Sequence, residues 1–179
     1  MANTTSNIMA QLFTDPATKI DVQESHGRIR VKRAEITLDA LESAAHIFPL
    51  GRFQATDRIY SCLGVWDNLG TTFTIDMGIY PETAWSASVD GTAIASDVLV
   101  NGQTLATVTS VQTEILGSGV VATTPELMGE KLFIVAGVAD TDAARPAAGT
   151  MYDIAIDIAT TGTPLAGSAV FTFFYTAGD

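Results

Sequence analysis

Apolar and polar residues alternate with the two-residue period of a half-buried strand through much of this chain. Phe73, Ile75, Met77 and Ile79 alternate with Thr72, Thr74, Asp76 and Gly78, which predicts a strand with one face in the core. Ile154, Ile156 and Ile158 alternate in the same way with Asp153, Ala155, Asp157 and Ala159, placing both aspartates on the solvated side. Leu132, Ile134, Ala136 and Val138 form a further run, as do Ile59, Ser61, Leu63 and Val65. Near the C-terminus Ala169, Phe171, Phe173 and Tyr175 share one side while Val170 and Phe174 take the other. That strand is expected to be central, with both faces covered.

The pattern slips in one place. Ile29 and Val31 have one parity and Ile36 and Leu38 the other, so a bulge or a sheet crossover is expected between Arg33 and Ile36. Turn signals separate the runs: Pro49-Leu50-Gly51, Asp67-Asn68-Leu69-Gly70, Asp90-Gly91, Asn101-Gly102 and Thr161-Gly162-Thr163-Pro164. Short strands punctuated in this way predict an all-β sandwich or barrel. Helix is confined to two candidates, Asp39 to Ala45 and Thr124 to Gly129, the second with Pro125 as its first helical residue and Gly129 as its stop. Residues 1–26 lack the strand pattern and carry one apolar cluster, Ile8, Met9, Leu12 and Phe13. They are read either as an arm that packs on a neighbouring subunit or as a partly ordered tail.

Length and composition fit this picture. With 179 residues, 47% of them apolar and 16% charged, the chain can bury a core and is too apolar for a disordered polymer. Its longest apolar run, Leu132 to Ala139, is well short of a membrane span, and Met1 to Ala10 lacks a secretory pattern, so no membrane association is expected. The lone Cys62 cannot pair within the chain. Charge changes the picture more. Residues 1–58 hold seven acids and seven bases, while residues 59–179 hold thirteen acids against Lys131 and Arg145, which accounts for the net charge of −11. An acidic body repels phosphate backbones, so nucleic acid is not an expected partner.

Catalytic chemistry finds little to assemble. Nucleophilic catalysis needs a nucleophile, a base and an orienting group, but the two histidines, His26 and His46, are isolated in sequence and read as structural. No nucleophile elbow, phosphate-cradling glycine loop or zinc-spaced set of Cys and His occurs. Asp140 and Asp142 could offer oxygens to a cation but lack the rest of a calcium loop. Asp153 and Asp157 would lie about 13–14 Å apart along a strand, beyond the spacing of paired glycosidase carboxylates. No metal, no cofactor and no enzymatic activity is expected. Trp66 and Trp85 flank turns and read as core or interface residues rather than as a sugar platform.

One cluster invites a binding role. On a strand Arg28, Arg30 and Lys32 project to one side, opposite Ile29 and Val31, with Arg33 beside them. Two readings stand: a solvated outer face or protected strand edge, and a cationic row that docks on an acidic partner, another copy included.

Several segments resemble bacteriophage virion proteins of the small head-decoration or capsid-cement type. They are Phe48-Pro49-Leu50-Gly51-Arg52-Phe53, Asp57-Arg58-Ile59, the stretch from Trp66-Asp67-Asn68-Leu69-Gly70 through Gly78, Tyr152-Asp153-Ile154-Ala155-Ile156, and Leu165 through Tyr175. The resemblance covers roughly residues 27–80 and 131–179. It implies a jelly-roll-like sandwich over residues 27–179, a homotrimer, and attachment to the major capsid protein on the outside of a virion assembled from chains made in the host cytoplasm. Residues 81–130 fall outside it and are read as a candidate inserted lobe. The interface residues expected on this reading are Arg28, Arg30, Lys32, Arg33, Ile8, Leu12, Phe13 and Trp85. The alternative is a carbohydrate- or receptor-binding module displayed on the particle, with Trp85 and residues 81–130 as its contact region.

Overall fold

The two strictest alternating runs lie side by side at the centre of a sheet. In the computed structural model, which describes residues 28–41, 46–82, 93–117 and 129–178, they are β5 (Thr74–Pro81) and β8 (Met151–Thr160). These pair antiparallel from Thr74–Thr160 to Pro81–Tyr152. Ile75, Met77, Ile79, Ile154, Ile156 and Ile158 are all buried on the inner face, as the period requires. The remaining elements are β1 (Ile29–Leu38), β2 (Ile47–Gln54), β3 (Arg58–Trp66), β4 (Gly70–Thr71), β6 (Ala95–Thr104), β7 (Thr109–Glu114), a one-turn helix α1 (Leu132–Val135), β9 (Thr163–Pro164) and β10 (Gly167–Thr176).

The long strands form two four-stranded antiparallel sheets, ordered β1-β10-β3-β7 and β2-β8-β5-β6. Leaving out the two-residue strands β4 and β9, the first strand pairs with the last, the second with the second-last, β3 with β7 and β5 with β6. This is one long antiparallel hairpin rolled up so that its successive pairs fall alternately in the two sheets. The protein is a jelly-roll β-sandwich. β4 and β9 pair with each other, joining the turn around Asn68 to the turn around Gly162. Phe173 and Tyr175 of β10 meet Phe53 of β2, both edge to face, with ring centroids 5.5 and 5.1 Å apart.

Residues 81–130 contribute β6 and β7 to the roll as the terminal strands of the two sheets. Their strand character is hidden in the sequence because the pairing is irregular. β6 shifts register twice against β5, and β7 shifts against β3 between Gly64 and Trp66. Where β6 bulges, its backbone crosses directly over Gly78.

Three sequence expectations are corrected. The slip between Arg33 and Ile36 produces neither bulge nor crossover: β1 pairs with β10 without interruption from Ile29–Thr176 to Leu38–Gly167. In β3 the core-facing side chains are Cys62 and Trp66, not Leu63 and Val65, because Cys62, Gly64 and Trp66 lie opposite Phe173, Phe171 and Ala169 of β10. Apolar residues occur at both parities there, so the period alone could not choose, and a register shift at Tyr60 returns Ile59 to the core. The run Leu132 to Val138 is no strand: it is one turn of helix over Leu132–Val135 followed by a tight turn. Gly137, at φ 82°, ends the turn: its N–H reaches the Ile134 carbonyl and the Val138 N–H reaches the Phe133 carbonyl, at 2.8 and 2.9 Å. The turn plugs one end of the sandwich, where the Leu132 and Phe133 N–H groups donate to the Asp57 and Ala55 carbonyls. Of the predicted helices, Asp39 to Leu41 is a turn, and the rest of that candidate, with most of Thr124 to Gly129, lies outside the described residues.

Two glycines separate crowding from backbone strain. A Cβ on Gly78 would lie 2.2 Å from the Ala95 carbonyl oxygen and 2.4 Å from the Ser96 carbonyl carbon, so β6 would have to lift off. Gly102, at φ 69°, has nothing within 4 Å of a Cβ. Gly78→Ala is expected to destabilise by about 3 kcal/mol or more, and Gly102→Ala by about 1–2 kcal/mol. Chemical denaturation with a constant m-value checks both.

Candidate assembly surface

The unbroken β1–β10 register decides where the basic cluster points. Ile36 and Leu38 are buried, so the even-numbered positions of β1 face the other sheet, and Arg30 and Lys32 share that parity. The expected cationic row on a solvated face is therefore not what β1 displays. Lys32 turns inward at the open end of the sandwich, with its ammonium 4.2 Å from the centroid of the Phe53 ring and 6.0 Å from that of Tyr175, and it donates to the Arg52 carbonyl. Burial lowers its pKa, a shift opposed by the charges of Asp57 and Asp153. Gly51 leaves room for the Lys32 stem, since a Cβ there would come within 2.9 Å of the Lys32 Cδ. Arg28, Arg30 and Arg33 are exposed, and Arg33 pairs with Glu35 at 3.1 Å.

The same register sends Ile29 and Val31 outward, where they remain 67% and 59% exposed. Val31 lies across from Phe174 of β10, which in turn lies across from Ser61 of β3. Val170 of β10 and Val65 of β3 form another outward pair, and Leu63 lies opposite Thr172. Phe174, Leu63, Val65 and Val170 are half-buried. The outer face of the β1-β10-β3-β7 sheet thus carries an apolar strip that ends in two well-exposed side chains on its rim. Sequence parity contained the signal, since Ile29 and Val31 could reach the core only through a bulge that the chain does not make. Of the other expected interface residues, Ile8, Leu12, Phe13 and Trp85 lie outside the described residues.

The outer face of the second sheet is polar and partly self-neutralised. Asp153, read as solvated, is only 1% exposed and takes a bidentate contact from Arg52, 2.8 Å to Nε and 3.0 Å to Nη2. Arg52 also reaches Glu82 at 2.9 Å. Burial of the carboxylate is tolerable because the planar guanidinium satisfies both oxygens. Asp157 has no such partner: it lies directly opposite Asp76 of β5, and its Oδ1 is buried without a hydrogen bond. Burial and then the Asp76 charge push its pKa above the ordinary 3.8.

The remaining chemical candidates are occupied or sequestered. Arg145 and Lys131 neutralise the Asp140 carboxylate, Arg145 through Nε and Nη2 at 3.0 and 2.7 Å, and hold its pKa low. Cys62 is buried, which raises its thiol pKa well above 9.0. His46 is exposed and lies edge-on to Phe48 at 6.5 Å, while His26 lies outside the described residues. Among the described residues no group of three or more His, Cys, Asp or Glu could hold a metal ion, and no helix is long and apolar enough to cross a membrane.

No family model and no curated protein sequence matches the chain. Solved structures do. A chain in the capsid of Ralstonia phage GP4 superposes with a TM-score of 0.59 at 16% identity, the match covering 86% of each chain. A chain in the asymmetric unit of the cyanophage Pam1 capsid is 17% identical over 84% of this chain and 86% of its own, with a TM-score of 0.48. The first likeness agrees with the sandwich fold described above.

The opposed carboxylates give a pH prediction with a definite sign. Because the folded pKa of Asp157 is raised, its ionised form destabilises the fold at neutral pH, and the penalty disappears as pH falls through the raised value towards 3.8. Asp157→Asn is expected to raise the Tm at pH 7 and to lose that advantage below pH 3.8. Thermal melts of both proteins from pH 3 to pH 8 check this; a constant difference across the range would refute the assignment.

Proposed function

We propose that this protein is a non-enzymatic structural component of a virion. On this reading it binds the outer surface of a phage capsid as a homotrimer and reinforces or decorates the shell. The observation that carries the reading is the outward apolar strip on one sheet of a jelly roll: Ile29 and Val31, continued by Phe174, Leu63, Val65 and Val170. A soluble sandwich gains nothing internally from exposed β-branched residues on a strand rim, whereas a surface that meets another protein does. The fold likeness to a chain of the GP4 phage capsid over most of both chains supports the same reading. The segments that resemble head-decoration proteins fall in β2, β3, β5, β8 and β10, the last four of which are the inner strands of the two sheets.

Many copies on one shell explain why each contact can be modest. Simultaneous engagement raises avidity without strengthening any single interface. An acidic body, with a net charge of −11 on the whole chain, also keeps free copies from aggregating before they reach the shell.

Co-sedimentation with capsids of the particle whose genome carries this gene, and light scattering of the purified protein, test the proposal. A trimer that co-sediments is the expected outcome. Val65→Lys is expected to weaken capsid binding at least about tenfold while moving the Tm by less than about 5 °C. A monomer that binds glycans on an array and ignores capsids would replace this reading with the receptor-binding one.

A further inference from the structure

We infer that the free edge of β1 docks against β1 of a second copy, antiparallel and centred on Ala34, so that the β1-β10-β3-β7 sheet continues from one molecule into the next. The inference begins with a comparison of the four strands that end the two sheets among the described residues: β1, β7, β2 and β6. Natural sheets protect such edges with prolines, bulges, short strands or groups that occupy the free hydrogen-bonding positions.

Three of the four are protected. β2 carries Pro49 and shifts register between Pro49 and Gly51. β6 shifts register twice, at Ile75/Met77 and at Met77/Ile79 of its partner. β7 is six residues long and shifts register against β3. The hydroxyls of Thr109 and Thr113 both donate to its Val111 carbonyl, at 3.0 and 3.2 Å. β1 carries basic side chains, Lys32 among them pointing inward, but it runs ten residues without proline and without a register shift. Every second residue of an edge strand turns its N–H and C=O away from its one neighbour, so β1 presents an intact template for another strand.

Charge selects both the occupant and the register. Arg33 and Glu35 lie on the outer parity, are more than half exposed and have opposite signs. An antiparallel pair of β1 strands related by a two-fold axis at Ala34 sets each Arg33 directly across from Glu35 of the other copy. Moving the axis by one residue either way opposes Arg33 with Arg33 or Glu35 with Glu35, and like charges directly opposite destabilise a sheet. In the favoured register Val31, 59% exposed in the single chain, faces Thr37 of the other copy, a pairing of β-branched residues suited to a sheet. Asp39 then falls at the strand end that carries Arg28 and Arg30 of its neighbour. The pattern is self-complementary, as a two-fold contact requires.

A two-fold contact cannot close a trimer, so this one joins molecules of neighbouring trimers; it is also independent of capsid attachment and can fail without disturbing that reading. Two single-cysteine changes, Arg33→Cys and Glu35→Cys, are made in separate proteins, mixed, treated with a mild oxidant and run on a non-reducing gel. Cys62 is buried and stays silent. Directly opposite Cβ atoms lie about 4.5–5.5 Å apart, whereas the diagonal between the two copies of residue 33 is about 7–8 Å and exceeds ordinary disulfide reach. The mixture is expected to give covalent dimer at least about fivefold above either protein alone. Equal cross-linking in Arg33→Cys alone overturns the register, and no cross-linking in a folded mixture overturns the contact. As a second measurement, Arg33→Glu is expected to weaken self-association at least about tenfold, and adding Glu35→Arg to restore it. Association that ignores both changes also overturns the proposal.

Discussion

The pairing of β1 with β10 is the contact on which the rest of the surface depends. It joins the beginning of the described chain to its end and closes the outermost turn of the roll, from Ile29–Thr176 to Leu38–Gly167. Because β10 buries Ala169, Phe171 and Phe173, its register is fixed by the core, and a one-residue slip would move two phenylalanine rings to the wrong face. β1 inherits that register. Ile36 and Leu38 can then reach the core only if Ile29 and Val31 do not, and the strand resolves the conflict by exposing the second pair. Lys32 occupies the inner position left over, its stem running past Gly51 and its charge over the Phe53 ring. One backbone constraint therefore produces an inward lysine and an outward apolar rim.

How much could be read from sequence varied with how regular each element's environment is. β5 and β8 were legible because each has one dry face and an unmixed period, and both sit in the sheet interior. β10 is interior to its sheet, as apolar residues at both its parities suggested, but the cover expected on both faces is absent among the described residues: Val170 and Phe174 lie half-buried on the outward strip. The same mixture hid the orientation of β3, where the choice between Cys62/Trp66 and Leu63/Val65 was made by the partner strand. α1 was misread because a four-residue apolar run is compatible with a buried strand and with one turn of helix, and the Gly137 stop only acquires meaning once the helix exists. β6 and β7 were invisible as strands because register shifts scramble any period. Among the surface residues, Arg30, Lys32 and Arg33 lie on β1 with Arg30 and Lys32 opposite Ile29 and Val31 as read, but the inner face of that row, with Lys32 over Phe53, was not foreseen. The apolar partners of that strand carried the more useful signal.

Buried charge follows one rule throughout. Asp153 is nearly inaccessible and tolerated because Arg52 meets both of its oxygens. Asp57, also buried, accepts from the Gln54 and Gly178 N–H groups and so ties the β2–β3 turn to the end of the chain. Asp67 accepts from the N–H and hydroxyl of Ser168, which lowers its pKa and links the β3 turn to the start of β10. The buried carboxylates Asp153 and Asp57 replace their water shells with fixed donors, whereas Asp67 keeps its exposure and gains donors besides. Asp157 instead faces the Asp76 carboxylate, and its buried Oδ1 finds no donor, which is why it stands out as a destabilising charge on that sheet.

The placement of charge also bears on assembly. Excess acid is carried entirely by residues 59–179, so two copies approaching at random repel each other. The neutral N-terminal third, of which β1 is the extended and unprotected edge, is where that repulsion is weakest. Long-range repulsion over most of the surface, combined with a short-range self-complementary strand, favours few and oriented contacts over indiscriminate aggregation. Edge protection on β2, β6 and β7 acts in the same direction, since it removes the competing strands that a free β1 could otherwise join. An aligned apolar strip on the outer face of the same sheet then extends across any pair formed through β1. Continuing the sheet would therefore continue the apolar strip on which the proposed attachment to a shell rests.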